Sequence, residues 1–125
     1  MALDPQARLL ARAVTQRHGT LKEAIFIEPT KEGQLHFSDG TAITIREFDF
    51  LTFGYTGTGS SAFSSFLSAA GFIDSDVTGI TGPLKLLPDG RRVEGEVHGG
   101  QVKWKDGTVT DLLPPGWKYE YPRRR

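Results

Sequence analysis

The sequence predicts an α+β domain in which two helices pack on a curved antiparallel sheet of about six or seven strands. Two stretches of helical periodicity, each followed by a glycine, are separated by runs of alternating apolar residues. Asp-Gly pairs between those runs indicate β-hairpins. Glycine makes up 15 of the 125 residues, well above its usual share of about 7%, and such an excess is typical of a fold with many tight turns.

Length and composition restrict the class of protein. We expect one domain at residues 1–122 and a basic tail at 123–125. The 15 Lys and Arg balance the 15 Asp and Glu, which argues against a strong overall field for nucleic acid or an anionic membrane. The absence of Cys excludes thiol chemistry, disulfides and Cys-ligated zinc. No apolar run could cross a bilayer and the N-terminus lacks a signal-peptide pattern, so we predict a cytoplasmic protein with no membrane partner.

The first helix is predicted at Pro5–His18. Asp4 has the residue type of an N-cap, Pro5 suits the first helical position, and Gly19 follows the end. Its predicted core-facing stripe, with Arg8 and Arg12 opposite, consists of Leu3, Leu10, Ala13 and Val14, widened by Leu9.

A three-stranded meander is predicted next, with strands at 24–27, 34–37 and 41–45. Asp39-Gly40 is expected to form a two-residue primed turn, in which both positions take positive φ. The stretch Phe48–Tyr55 has apolar residues at both even-numbered and odd-numbered positions, which indicates a strand that is bent by a bulge or buried on both faces.

The second helix is expected to be capped by Ser60 or Ser61 and to end at Gly71. Its apolar face has the spacing i, i+3, i+4, i+7, which is provided by Phe63, Phe66, Leu67 and Ala70. A second meander follows, with strands predicted at 84–87, 93–97, 101–105 and 108–112.

The two meanders contain similar segments. Residues 33–42 align with residues 100–109 at an offset of 67, and five of the ten positions are identical. Two explanations remain open: duplication of a helix-plus-meander unit, or convergence on one hairpin sequence.

A glycine-rich segment precedes the second helix. Gly57-x-Gly59-x-x-Ala62 fits a relaxed dinucleotide-binding pattern, and the free N–H groups of a helix N-terminus attract phosphate. A mononucleotide P-loop would also need a lysine, and none lies between Lys31 and Lys85. The segment is therefore either a candidate site for a small anion, a nucleotide or a partner, or a glycine-rich turn before a Ser-capped helix. The candidate residues are Gly54, Tyr55, Gly57, Thr58, Gly59, Ser60 and Ser61.

The same segment, Phe53-Gly54-Tyr55-Thr56-Gly57-Thr58-Gly59-Ser60, resembles an uncharacterised family of small bacterial domains. That family carries Trp-Gly-Tyr-Gly-Gly-Ser-Gly-Pro before a helix, and the resemblance covers about 20 residues. This chain has Phe53 in place of the Trp, Thr56 in place of the second Gly and Ser60 in place of the Pro. The resemblance implies a bacterial or phage domain of unknown role and no particular activity.

Catalytic, metal and cofactor sites are not expected. The serines near the second helix have only His18, His36 and His98 as candidate bases, and no spacing pairs them. Asp74-Ser75-Asp76 lacks the glycine and the bidentate Glu of a calcium loop. The carboxylate pairs Glu47/Asp49 and Glu94/Glu96 each share a strand face that we expect to be solvated.

A nucleic-acid surface is a further candidate. Stacking aromatics and positive charge would come from Lys103, Trp104 and Lys105 on a hairpin, together with Arg123, Arg124 and Arg125. The alternative places Trp104 in the core, at the position that matches Phe37. Residues 26–100 carry a net charge of −5, since the flanking segments carry +2 and +3, and this speaks against nucleic acid.

The function expected from these observations is a non-catalytic bacterial or phage interaction module of regulatory or immunity type. It would bind a protein partner, and a homodimer is left open. The first alternative is a small anionic-ligand or nucleotide-binding domain that uses the loop Gly54–Ser61. The second is a weak single-strand nucleic-acid binder.

Overall fold

The computed structural model describes residues 3–113 and contains two α-helices and seven strands in this part of the chain. The helices are α1 (Asp4–His18) and α2 (Thr58–Ala69). The strands are β1 (Leu21–Glu28), β2 (Glu32–Phe37), β3 (Ala42–Thr44), β4 (Leu84–Leu86), β5 (Arg92–His98), β6 (Gln101–Trp104) and β7 (Val109–Asp111). The sheet has the order β3-β2-β1-β4-β5-β6-β7, so the predicted α+β class is confirmed.

The sheet consists of two antiparallel meanders that meet at its centre. Strands β1 to β3 form the first, β4 to β7 form the second, and β1 pairs with β4 through Ala24 opposite Leu86 and Phe26 opposite Leu84. The two similar segments noted in the sequence lie in hairpins β2–β3 and β6–β7, at opposite ends of the sheet. Duplication itself stays a prediction.

The main core lies between the helices and one face of the sheet. Phe26 on β1 is fully buried and packs edge-on against Phe53, with ring centroids 4.7 Å apart. The ring of Phe63 from α2 lies 5.6 Å from the ring of Phe26. An aromatic cluster therefore connects the sheet, α2 and the segment that leads into α2.

The buried face of α1 agrees with the predicted stripe at Val14, and Leu3 and Leu10 pack half-buried against the core, but the rest of the face differs. Ala7, Ala11, Val14 and His18 are buried, whereas Ala13 is exposed and Leu9 is 64% exposed. Alanines on the packed face allow α1 to lie close against α2. Asp4 is the first helical residue rather than the N-cap, which is Leu3.

The three Asp-Gly turns share one geometry, and it is not the predicted primed turn. They are Phe37–Thr41, Leu87–Arg91 and Trp104–Thr108. In the first, the Gly40 N–H donates to the Phe37 carbonyl at 3.1 Å, and only Gly40, not Asp39, has positive φ. This is a type I turn followed by a glycine bulge. Asp39 keeps the negative φ of a type I turn, and its Oδ1 accepts the Thr41 N–H at 2.8 Å.

The segment Phe48–Tyr55 is not a strand. A short 3₁₀-helix at Ile45–Glu47 precedes it. Its N–H groups bond to two separate loops: Phe53 donates to the Thr30 carbonyl at 3.0 Å and Gly54 to the Val77 carbonyl at 2.9 Å. Apolar residues occur at both even-numbered and odd-numbered positions because the segment crosses the core with irregular backbone. The side chains of Phe48, Leu51 and Phe53 are buried.

The sheet curls into a half-barrel, so part of its second face is buried as well. A small second core forms there between Ile25 on β1 and Val102 and Trp104 on β6. Gly95 on β5 lies opposite Trp104 in the strand register. The inside of the half-barrel therefore has its own packed layer.

Candidate functional site

The glycine-rich loop enters α2 at a different residue from the one predicted. Helix α2 begins at Thr58, and Gly57, with extended backbone, is its N-cap. Ser60 and Ser61 lie inside the first turn, so the prediction that one of them caps the helix is wrong. None of the described side chains caps this helix.

Close packing accounts for two glycines of the loop. A Cβ at Gly59 would lie 2.2 Å from the Oγ1 of Thr52, and a Cβ at Gly54 would lie 2.7 Å from the Ile80 carbonyl oxygen. Gly54 also has a φ of 88°, which L side chains rarely adopt. Both positions need glycine whether or not a ligand binds.

Two side chains surround the start of α2. The Tyr55 hydroxyl accepts a hydrogen bond from the Thr52 hydroxyl at 3.0 Å, and the Tyr55 ring lies against Gly57. The Ser61 hydroxyl donates to the Asp4 carboxylate at 3.2 Å. A carboxylate beside the first helical turn interacts favourably with its N–H groups and would repel a bound anion.

Ser60 is fully buried, and its Oγ has no hydrogen-bond partner among the described residues. Thr58 is exposed at the first turn. The structure thus brings the predicted loop residues together as a packed turn. Of these residues, Tyr55 presents the largest apolar surface, at 44% exposure.

The basic hairpin predicted as a nucleic-acid surface carries acidic partners. Lys105 Nζ bonds to Glu94 Oε2 at 2.9 Å, which lowers the pKa of Glu94 and raises that of Lys105. Lys103 lies opposite Glu96 in the strand register. The hairpin therefore presents mixed charge.

Trp104 is in the core, as the alternative interpretation held, and is only 4% exposed. Its indole N–H donates to Thr110 Oγ1 at 2.8 Å. A ring buried in this way cannot stack on a nucleic-acid base, which corrects its inclusion in the nucleic-acid surface. Arg123, Arg124 and Arg125 lie outside the described residues.

The candidate bases and metal ligands have structural partners. His18 is buried with its Nδ1 3.0 Å from Asp39 Oδ2, and exposed His98 has its Nε2 3.2 Å from Glu96 Oε2. Asp76 Oδ1 accepts the N–H of Thr78 at 3.0 Å within a turn. Across residues 3–113, no three His, Asp or Glu side chains form a group that could hold a metal.

A buried lysine crosses the half-barrel from β4, and sequence reasoning missed it. Lys85 Nζ bonds to Asp106 Oδ2 at 2.9 Å and to Thr108 Oγ1 at 2.8 Å, and lies 5.4 Å from the centre of the Trp104 ring. Hydrogen bonds from the Thr108 hydroxyl and from Lys85 hold the pKa of Asp106 well below its usual range. The alternation of strand β4 alone would place Lys85 on a solvated face.

Gln34 on β2 is the second buried polar side chain that sequence reasoning missed. Its Nε2 donates to the Asp111 carbonyl at 3.1 Å, and its Oε1 accepts the Leu113 N–H at 3.1 Å. Nε2 also lies 2.8 Å from Nε2 of His36. One amide side chain thus pairs with the outer edge of β7 as a peptide group of a neighbouring strand would.

Strand β3 presents the other edge of the sheet. Phe37 and Thr41 are a hydrogen-bonded pair of the β2–β3 ladder, and in an antiparallel ladder such pairs alternate with pairs whose N–H and C=O groups point away. Ala42 and Thr44 occupy the latter positions. Within residues 3–113, no partner bonds to the N–H or C=O of Ala42 or to the N–H of Thr44.

The described part of the chain is thus an α+β half-barrel with one closed and one open sheet edge. In comparisons with protein families, curated proteins and solved structures, nothing matched this chain. The resemblance around Phe53–Ser60 therefore stays an expectation. Neither α1 nor α2 has the length and apolar character that a membrane-spanning helix requires.

Proposed function

We propose that the protein is a non-catalytic interaction module that binds a partner protein by adding an extended strand of that partner to the edge of β3. The observation that carries this proposal is the outward direction of the Ala42 N–H and C=O and of the Thr44 N–H. Unpaired edge groups of this kind are a template for strand addition.

The surroundings of β3 support a preformed site. Ile43, between the two edge residues, is fully buried and anchors β3 to the core. The Arg46 guanidinium forms an ion pair with Glu32, which ties the segment after β3 back to β2. A rigid edge loses little conformational entropy on binding, which favours affinity for a short strand.

The anion-binding and nucleic-acid alternatives have less support. The packing around Gly54 and Gly59 and the Asp4 carboxylate beside α2 count against an anion site. The Lys105–Glu94 pair and the buried Trp104 count against a nucleic-acid surface. A regulatory or immunity-type role in a bacterium or phage fits a module whose main chain does the binding.

The variant Thr44→Pro tests the proposal. Thr44 has φ −69° and ψ 144°, which proline adopts without strain, and its N–H lies outside the β2–β3 ladder. The folded state should therefore be retained, with unfolding free energy unchanged or raised by up to about 1 kcal/mol. Strand addition should be lost because the ring removes the outward N–H and occupies the edge.

The measurement is retention of proteins from the source cells by immobilised wild type, Thr44→Pro and the matched control Thr44→Val. Thr44→Val keeps the backbone N–H and should retain the same partner as wild type. Amide exchange of Ala42 and Thr44 should be fast in the isolated protein and slowed in the complex. A partner retained equally by folded Thr44→Pro would refute the proposal.

A further inference from the structure

The carboxyl-terminal end of the described chain is held to β2 by one side chain. Gln34 is 3% exposed and bonds to both the Asp111 carbonyl and the Leu113 N–H. These two backbone groups face away from β6, because Thr110 and Leu112 are the residues whose backbone groups face that strand. The Gln34 amide therefore closes the half-barrel between β7 and β2.

The contact between Gln34 and His36 fixes the protonation state of the imidazole. The Gln34 amide nitrogen has two hydrogens, one directed to the Asp111 carbonyl and one to His36 Nε2 at 2.8 Å. Nε2 must accept this second hydrogen, so the ring is neutral and carries its proton on Nδ1. A proton on Nε2 of His36 would place two hydrogen-bond donors, the imidazole N–H and the Gln34 amide N–H, opposite each other.

Rotation of the Gln34 amide cannot relieve that conflict. With Oε1 turned toward a protonated His36 and the Asp111 carbonyl, Nε2 would face the Leu113 N–H as a second donor, and the Asp111 carbonyl would lose the hydrogen bond that Nε2 donates. Both bonds to the β7 edge would be lost. The closed arrangement is therefore compatible only with neutral His36.

The groups around His36 determine the pH at which its imidazole titrates. Burial lowers the pKa of His36, Glu23 on β1 opposes this effect, and Lys22 adds to it. From β3 the residue opposite His36 is the uncharged Ala42. From β7 the nearby charge is the Asp111 carboxylate, which is engaged by Gln101 Nε2 at 2.8 Å.

We propose that Gln34 and His36 form an acid-operated latch, in which protonation of His36 displaces Gln34 and releases residues 111–113 from β2. Release would leave the Asp111 carbonyl and the Leu113 N–H unpaired, beside the outward groups of Val109. A second strand edge would thus become available at low pH. This inference is independent of strand addition at β3.

Proton linkage gives the direction of the effect. In the open state His36 meets water and titrates near its ordinary value of about 6.5, whereas in the closed state its pKa is lower. Protons therefore bind the open state more tightly. The closed state is favoured above about pH 6.5 and is progressively lost as the pH falls toward the lowered pKa, by up to about ten-fold per pH unit.

Hydrogen exchange of the Leu113 amide in the full chain, followed by NMR, tests the latch. Its protection factor, which is corrected for the intrinsic pH dependence of exchange, should fall up to about ten-fold between pH 7.5 and 5.5. In His36→Leu the protection factor should be constant over this range. In the matched control His98→Gln, which replaces an exposed histidine on β5, it should fall as in wild type.

A second measurement needs no variant. The His36 ring titrates in the NMR spectrum of the wild-type protein, and its midpoint should coincide with the midpoint for loss of Leu113 protection. A constant wild-type protection factor, an equal fall in His36→Leu, or two separate midpoints would overturn the latch. The amide exchange of Ser38 and Asp39, beside His18, is measured in the same experiment. It shows whether a loss of protection is local to residues 111–113 or is a pH effect on the whole fold.

Discussion

Single residues on the inner surface of the half-barrel are constrained by what lies opposite them. Gly95 on β5 shows this most directly, because a Cβ at this position would lie 2.5 Å from Trp104 Cε3 and 2.8 Å from Val102 Cγ1. Glycine within a strand often marks such a close approach. The buried Trp104 therefore depends on the absence of a side chain on the neighbouring strand.

Gly95→Ala should lower the unfolding free energy by about 1–3 kcal/mol, because the methyl group overpacks the second core. Urea unfolding measures the change. Gly100→Ala is the matched control, since nothing lies within 4 Å of its Cβ position and its φ is not positive. The control should be neutral or slightly stabilising, and an equal loss at both positions would contradict the packing argument.

The unusual glycines of the loop before α2 could be recognised in the sequence, but the contacts that require glycine at these positions could not. Gly54, Gly57 and Gly59 belong to the glycine-rich segment that the sequence presents as a candidate site before the second helix. Contacts with Thr52 and the Ile80 carbonyl now account for Gly59 and Gly54. These contacts join parts of the chain whose proximity only the folded structure reveals, so no local pattern could predict them.

At the scale of elements, the three Asp-Gly turns have the same backbone geometry and different surroundings. In each turn the aspartate Oδ1 accepts the N–H two residues later. Asp106 alone among them also bonds to the buried Lys85. One local sequence thus serves as a simple turn at Asp89 and as the anchor of β4 at Asp106.

Asp106→Asn should destabilise the protein more than Asp89→Asn at neutral pH. Asn can keep the turn hydrogen bond in both cases, but only the first variant leaves the buried Lys85 cation without its counter-charge. Urea unfolding of both variants checks this expectation. In a Lys85→Met background the difference should largely disappear, and a difference that persists there would rule out the ion pair as its cause.

The pH dependence of this contact follows from the direction of the shift. The pKa of Asp106 is lowered in the folded state, so its contribution to stability is present above the unfolded value of about 4 and is lost at more acid pH. The wild type should therefore lose more stability than Asp106→Asn as the pH falls below about 4.

Element prediction succeeded where the signal was local. Helix periodicity and Asp-Gly pairs predicted both helices and the hairpins, because these signals depend on neighbouring residues. The segment Phe48–Tyr55 was wrongly predicted as a strand, because burial on all sides removes periodicity from irregular backbone as it does from a buried strand. The predicted face of α1 was right at Val14 and in part at Leu3 and Leu10, but wrong at Leu9 and Ala13, because close helix packing favours Ala7 and Ala11 over the larger Leu9.

At the scale of the whole molecule, Ile25 joins the two meanders. It is fully buried on the inner face of β1 and belongs to the second core with Val102 and Trp104 of β6. Strand β1 is in the first meander and β6 in the second. Because the curl brings them into contact, we expect the two meanders to unfold as one cooperative unit.

Ile25→Ala should lower the unfolding free energy by about 2–5 kcal/mol, because it removes fully buried methyl groups between the meanders. The control Ile73→Ala, at a side chain that is 81% exposed, should change it by less than about 0.5 kcal/mol. Far-UV circular dichroism and tryptophan fluorescence should give coincident urea transitions in the wild type. Separate transitions would show that the meanders unfold independently.

The α+β class, the curvature of the sheet and the approximate strand number followed from the sequence, but the burial of part of the sheet's second face did not. Strand periodicity assigns one face of the sheet to the core and the other to water. On that basis the sequence could not predict that Gln34, Lys85 and Trp104 are all buried. The half-barrel buries part of the second face, so polar residues there find partners inside. The candidate sites at the β3 edge and at Gln34 depend on sheet order, which a single sequence does not specify.

Closure of the sheet by the Gln34 side chain also has a mechanical consequence. A force that pulls on the chain beyond Leu113 reaches the two Gln34 bonds before it reaches the β6–β7 ladder. With those bonds broken, β7 can peel from β6 one bond at a time, so the load never falls on many bonds at once. We therefore expect the carboxyl-terminal side of the fold to yield first under such a force, with extension from this end proceeding strand by strand toward β1.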